Sequence, residues 1–170
     1  VLEELTDEKI DKYGIDGCSA PNFMCSLKGL GKAMHALTDG TKLGKVRSNS
    51  VDAIFQAMQT HPLLVAGTGR ACSELMMAAD PVTIVKTGAE GVFVAVVPQK
   101  KIGVALKIVD GSTRAAEAAI TLILVRLGVL SKDHPSVKKR LFCEIRNWNG
   151  KVTGYIMPTE GFWNFGKKLI

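Results

Sequence analysis

Aromatic residues are scarce in this 170-residue sequence, with two Trp, two Tyr and six Phe, or 6% of the chain. That scarcity bears on its charge. The formal net charge is +6 and the pI about 9.2, but a nucleic-acid surface needs basic side chains interleaved with stacking aromatics. Here much of the positive charge lies between Lys132 and Arg146 and in Lys167-Lys168, and Lys138-Lys139-Arg140 reads as a solvated helix face. Nucleic acid is therefore not an expected partner. The four cysteines, Cys18, Cys25, Cys72 and Cys143, form no CxxC pair and no Cys/His cluster of zinc-finger spacing. A chain of this length and apolar content needs no disulfide framework, so reduced thiols and a cytoplasmic location are expected. The longest apolar run, Ala115 to Val125, is broken by Glu117 and Thr121, which excludes a membrane span there. There is no internal repeat and no low-complexity linker. His35, His61 and His134 have no Ser and Asp partners at a recognisable triad spacing.

What is present is ordinary globular material, 46% hydrophobic and 22% charged, enough for one domain or part of a larger one. Thr6 reads as the N-cap of a short helix over residues 6–13, followed by a turn-rich stretch that puts Asp16 and Cys18 on a loop. Ser26 caps a helix to about Thr38, with Leu27, Leu30, Met34 and Leu37 on one face. Asn49 or Ser50 opens a second helix that His61-Pro62 ends. Gly67-Thr68-Gly69-Arg70 is a turn, lacking the spacing and lysine of a phosphate loop, before a short helix over Cys72 to Ala79. Val92 to Val97 and Ile102 to Val109 are dense in Val, Ile and Leu and form a buried hairpin. Ser112 or Thr113 caps a long helix to about Leu127, and Lys151 to Ile156 is a last strand. The fold class that follows is α+β, with an antiparallel sheet covered by helices.

Lys86-Thr87-Gly88 leads directly into the hairpin. A Lys-Thr-Gly in that place resembles the third motif of the serine β-lactamase and penicillin-binding protein superfamily. The stretch Lys86 to Gly91 with the hairpin is also similar to the C-terminal half of serine-dependent glutaminases. Five blocks carry a closer resemblance: Asp16-Gly17-Cys18-Ser19-Ala20-Pro21-Asn22, Val65 to Arg70, Lys86 to Gly91, Asp110 to Ala118, and Asn147-Trp148-Asn149-Gly150. Together they resemble the Rhizobium-type bacterial L-asparaginases, the asparaginase II family, from about residue 14 to about residue 158. The resemblance implies part of a serine β-lactamase-like fold and hydrolysis of L-asparagine to L-aspartate and ammonia through a serine acyl-enzyme. Such chemistry needs an activated hydroxyl, a base and oxyanion donors. Lys86 supplies an ammonium, Thr87 a hydroxyl for a substrate carboxylate, and Gly88 room for close approach. The Ala89 N–H is an oxyanion donor. Glu90 is either a partner for the substrate ammonium or a turn residue. Asp16 and Cys18 share a face if their segment is extended, and the resemblance places both in the active site. No cofactor is required, although Cys18 is a soft ligand suited to zinc if other groups join it.

The resemblance is incomplete. Family members carry the nucleophile in a Ser-x-x-Lys motif of an N-terminal half that this sequence does not contain. The one Ser-x-x-Lys here, Ser136-Val137-Lys138-Lys139, lies where the family has none. Residues 1–170 therefore read as the C-terminal half of a single amidohydrolase domain, inactive alone. Two readings follow: an asparaginase, with glutamine as the rival substrate, or a non-catalytic truncated or accessory scaffold that binds a partner chain. Either leaves a sheet edge and an apolar helix face in need of cover, so the missing half and a homodimer are the expected partners.

Overall fold

The computed structural model describes residues 1–164, without the side chains of Thr41 and Lys42, so the Lys167-Lys168 tail lies outside the described residues. At the centre is a three-stranded antiparallel sheet of β3 (Ile84–Thr87), β4 (Val92–Val97) and β5 (Ile102–Lys107), with β4 in the middle. Val85 pairs with Ala95 and Ala95 with Val104, while Thr87, Phe93 and Leu106 align one step along. Side chains alternate along each strand, so these residues share one face. It packs against α5 (Ala71–Ala78) and α6 (Thr113–Arg126), with Leu75, Ile120 and Leu124 fully buried. Each such side chain contributes about 1.5–3 kcal/mol.

The opposite face carries Ile84, Lys86, Val92, Val94, Val96, Gly103, Ala105 and Lys107. It is covered by α2 (Leu27–Ala36). Gly103 is what allows the close approach. A Cβ there would stand 2.5 Å from the Met34 carbonyl carbon and 2.8 Å from the His35 Cα. His35 also brings Nδ1 to 3.1 Å from the Lys101 carbonyl oxygen, pinning the helix across the hairpin turn. Ser26 caps α2 as its side chain predicts, accepting from the Gly29 N–H at 2.9 Å. The sheet is thus a middle layer between α2 and the α5–α6 pair, an α+β arrangement. The apolar face of α6 is buried within this chain rather than left open.

Around this centre lie α1 (Leu2–Thr6), the hairpin of β1 (Tyr13–Ile15) and β2 (Pro21–Phe23), α3 (Lys45–Thr60), α4 (Pro62–Ala66), α7 (Pro135–Lys138), a second hairpin of β6 (Cys143–Arg146) and β7 (Val152–Ile156), and α8 (Glu160–Asn164). Three local expectations are corrected. Thr6 ends α1 rather than starting a helix, its hydroxyl donating to the Leu2 carbonyl at 2.9 Å. Residues 13–15 belong to a strand. The helix expected from Asn49 or Ser50 begins at Lys45 behind Gly44, whose φ of 76° only glycine adopts freely.

A fourth correction concerns Arg140. It is not on a solvated face. Its side chain is 3% exposed. Nη2 donates to Glu74 of α5 at 2.6 Å, Nη1 to the Ser136 carbonyl at 2.8 Å, and Nε lies 3.4 Å from the Glu117 carboxylate of α6. One guanidinium therefore joins α5, α6 and α7, a role suited to its rigid fork of donors. Burial alone would raise the pKa of Glu74, but hydrogen bonds from Lys139 and Arg140 outweigh it and hold the carboxyl below its usual 4.5.

Gly103→Ala is expected to cost about 3 kcal/mol, because α2 must lift from β5, and a urea melt monitored by circular dichroism checks it. Arg140→Met should cost a similar ~3 kcal/mol by leaving Glu117 without its cation and Glu74 with Lys139 alone. The Glu74 contribution has a definite sign. A depressed carboxyl stabilises the fold above pH 4.5 and loses that contribution as pH falls through the lower folded value. The difference between wild type and Glu74→Gln in thermal melts should therefore shrink below pH 4.5.

Candidate active site

The Lys-Thr-Gly segment closes a strand that the sequence did not announce: Lys86 and Thr87 are the last two residues of β3, and Gly88 follows it. Its strand has one free edge. Backbone N–H groups alternate between the β4 side and the outer side. Gly88 N–H bonds inward to the Val92 carbonyl at 2.8 Å. Thr87 N–H points outward and is accepted by the buried Cys72 sulfur of α5 at 3.1 Å. Burial pushes the Cys72 thiol up, so it sits there as a neutral acceptor. The next outward N–H, that of Ala89, makes no hydrogen bond among the described residues. It is an open donor at the end of this edge.

Ala89 borders a cavity of about 850 Å³. Gly88, Glu90, Asp16, Ser26 and Lys107 line the same space. Asp16 and Ala89, 73 positions apart by their numbers, are thus brought together. The floor comes from α1 and the start of α2. Ser26 Oγ donates to Glu8, and Glu8 also accepts the Ser26 N–H at 2.9 Å. These two hydrogen bonds, the hydroxyl's the stronger, hold the Glu8 carboxyl below its usual range.

Other expected residues are placed differently. Lys86 stands on the α2 face of β3, but its ammonium folds back to donate to the Thr87 carbonyl at 2.9 Å, and it does not border the cavity. Thr87 Oγ1 is turned onto the Gly88 and Val92 carbonyls at 3.1 and 3.3 Å. Glu90 occupies a tight turn with φ of 55°, followed by Gly91 at 72°; it borders the cavity, but its carboxylate lies against Gly111, where Oε2 would stand 2.8 Å from a Cβ. The Asp16 segment is not extended. Residues 16–19 form the turn between β1 and β2, with Ser19 N–H donating to the Asp16 carbonyl at 2.8 Å. The turn nonetheless keeps Cys18 beside Asp16, its thiol 3.3 Å from the carboxylate.

Zinc at Cys18 is not supported. No group of three or more His, Cys, Asp or Glu side chains that could hold a metal occurs among the described residues. The Ser136-to-Lys139 pair is structural: Lys139 Nζ is taken by Glu74 at 2.8 Å and the Gly69 carbonyl at 3.1 Å. A second cavity, of about 720 Å³ beside Phe142 and Trp163, holds none of the expected residues.

A family model described as L-asparaginase II matches residues 1–158. The chain belongs to the L-asparaginase II family. That membership places it among asparagine amidohydrolases. A search of curated protein sequences returned no match. The matched range takes in the whole cavity and every residue named for it. Among the described residues, no helix is long and apolar enough to cross a membrane.

Two cavity residues escape a reading of this asparaginase-family sequence by motif. Ser26 is legible only as a helix cap, and its place at the cavity depends on Glu8, 18 residues earlier. Lys107 is the only charge in the strand Ile102–Lys107, and that isolation was the available signal. Ser26→Ala should cost about 1 kcal/mol as a lost cap. Differential scanning calorimetry at neutral pH checks this, and a cost below about 0.3 kcal/mol would rule out the cap as a stabilising element.

Proposed function

We propose that this chain supplies the oxyanion-strand side of an L-asparagine amidohydrolase working through a serine acyl-enzyme, within a serine β-lactamase-like domain. The observation that carries the reading is the single cavity that joins Asp16 to Gly88, Ala89 and Glu90, in a chain of the L-asparaginase II family. The open Ala89 N–H is aimed at the charge that develops on the scissile amide oxygen, where a preorganised donor lowers the barrier. Asp16 holds the substrate ammonium or a catalytic lysine. Lys86 leaves the Thr87 carbonyl and turns into the cleft to move a proton at the nucleophile and the leaving ammonia. Glu90 is the second candidate for the ammonium. No cofactor enters this reaction.

The nucleophile is proposed to come from a segment outside these 170 residues. Among the described cavity residues the one hydroxyl nucleophile is Ser26, and it is committed to Glu8 and to the Gly29 N–H. The exposed apolar side chains on and beside the β1–β2 hairpin mark where that segment, or a second copy of the chain, packs. Tyr13, Ile15, Phe23 and Met24 are each at least half exposed. The same exposed surface also favours the accessory-scaffold reading. Asparagine is preferred to glutamine on family membership, since one methylene separates them.

Ammonia release from L-asparagine and L-glutamine should be measured for the chain alone and after mixing with a separately produced Ser-x-x-Lys segment. Turnover is expected only in the mixture. Turnover by the chain alone would overturn the missing-nucleophile reading, and none in either case would favour the scaffold. In the active mixture, Lys86→Met and Asp16→Asn should each lower kcat/KM at least about a hundredfold, or about 2.7 kcal/mol of transition-state stabilisation. Their melting temperatures should stay near wild type, because neither side chain packs in the core.

A further inference from the structure

The proposed substrate cavity contains a cation held in place but not neutralised. Lys107 ends β5 opposite Val92 and points to the α2 face of the sheet, into the cavity. Its Nζ donates to the Glu90 carbonyl at 2.5 Å and the Ile108 carbonyl at 2.5 Å. An ammonium has three N–H donors. Two are used by these carbonyls, and the third is left for the cavity. No carboxylate forms an ion pair with Lys107 among the described residues. The two carbonyls fix the direction of the ammonium without cancelling its charge, so little side-chain freedom is lost when a ligand arrives.

The same cavity is bordered by two acidic residues without an ion pair among the described residues, although the Glu90 carboxylate turns against Gly111. Asp16 meets the Cys18 thiol and no cation, and Glu90 meets no cation among the described residues. The Lys107 ammonium and the Asp16 carboxylate around one space are complementary to a zwitterion. An α-amino acid presents that pair of charges on a single carbon. Thr87, the other candidate for a substrate carboxylate, spends its hydroxyl on backbone carbonyls and does not border the cavity.

We propose that Lys107 is a specificity-determining residue that binds the α-carboxylate of an α-amino-acid substrate, with Asp16 of the same cavity at its α-ammonium. This rests on the reading of the cavity as the substrate site. It makes Lys107 the group that separates amino-acid amides from simple amides, with a charge-assisted hydrogen bond that an uncharged ligand cannot form. The strap to Glu90 gives it a second effect. The same ammonium that receives the carboxylate also anchors the turn that carries the Ala89 N–H, so carboxylate binding and oxyanion geometry are mechanically joined.

The test is ligand binding to the 170-residue chain, measured by calorimetry and by backbone amide shifts. The probes are L-asparagine and L-asparaginamide, in which an amide replaces the α-carboxylate. In Lys107→Met the L-asparagine affinity should fall at least about tenfold, or about 1.4 kcal/mol. L-asparaginamide should bind wild type and variant alike, and Lys107→Arg should recover most of the L-asparagine affinity. Where Lys107→Met melts well below wild type, Lys107→Gln, which keeps a donor for the two carbonyls, makes the same comparison. Equal L-asparagine affinity in wild type and variant would overturn the proposal while leaving the cavity as the substrate site. Equal loss of both ligands would also overturn it, making Lys107 a shaper of the turn. Failure of wild type to bind either ligand would overturn the cavity reading itself, and this inference with it.

Discussion

The structure depends on a three-stranded sheet with helices packed on both of its faces. One face is fastened by apolar packing against α5 and α6. The other is fastened by the closeness of α2, which Gly103 permits by having no side chain. These two fastenings differ in kind. The first tolerates changes of shape that conserve volume, whereas the second has no slack, because backbone meets backbone. Since α2 begins at Ser26 and the Lys-Thr-Gly strand lies in the same sheet, the distance from helix start to strand edge is set by that contact. The cavity is the space left beyond it.

Edge chemistry then selects what the cavity offers. A strand edge presents a row of backbone donors, a hazard unless they are covered. Here α5 covers one with a sulfur, and the next stays open beside the cavity. A thiol is a weak, bulky acceptor, so it satisfies the outward Thr87 donor without drawing the strand away from β4. The open donor is thus held in place by its neighbours on either side, one capped by Cys72 and the other turned over by Glu90 and Gly91.

The elements legible in sequence were those with one dominant local cause. The hairpin was readable from Val, Ile and Leu density, α2 and α6 from their serine caps, and the turn at Gly67–Arg70 from its glycines. Thr6 misled because a threonine hydroxyl serves equally well at a helix end, bonding four residues back. Arg140 misled because Lys138-Lys139-Arg140 looks uniform, and only the arrival of Glu74 and Glu117 from distant helices makes one of the three a buried group. Lys86 and Thr87 lead into the hairpin from the end of a third strand, and the direction their polar ends take depends on which carbonyls stand free nearby. Asp16 reached the cavity through a turn rather than through extended backbone. Lys107 carried no motif, and its importance arises from a register with Val92 that no local pattern encodes.

The N-terminal segment is held by a different kind of force from the rest. Within five positions, Glu4 pairs with Arg47, Asp7 with Lys32, and Glu8 with Ser26. All three carboxyls lie below their usual values because of these partners. Such contacts strengthen above their unfolded pKa and vanish as pH falls, and exposed pairs also weaken with salt. Leu2, on the same short helix, lines the cavity. The sheet is closed mainly by apolar packing, with an ionic joint at Arg140, but the cavity floor is closed by charges that respond to both acid and salt. The fold therefore carries a wall of fixed position beside a floor whose grip is set by the solution, and the cleft can loosen on one side while the core beneath it stays shut.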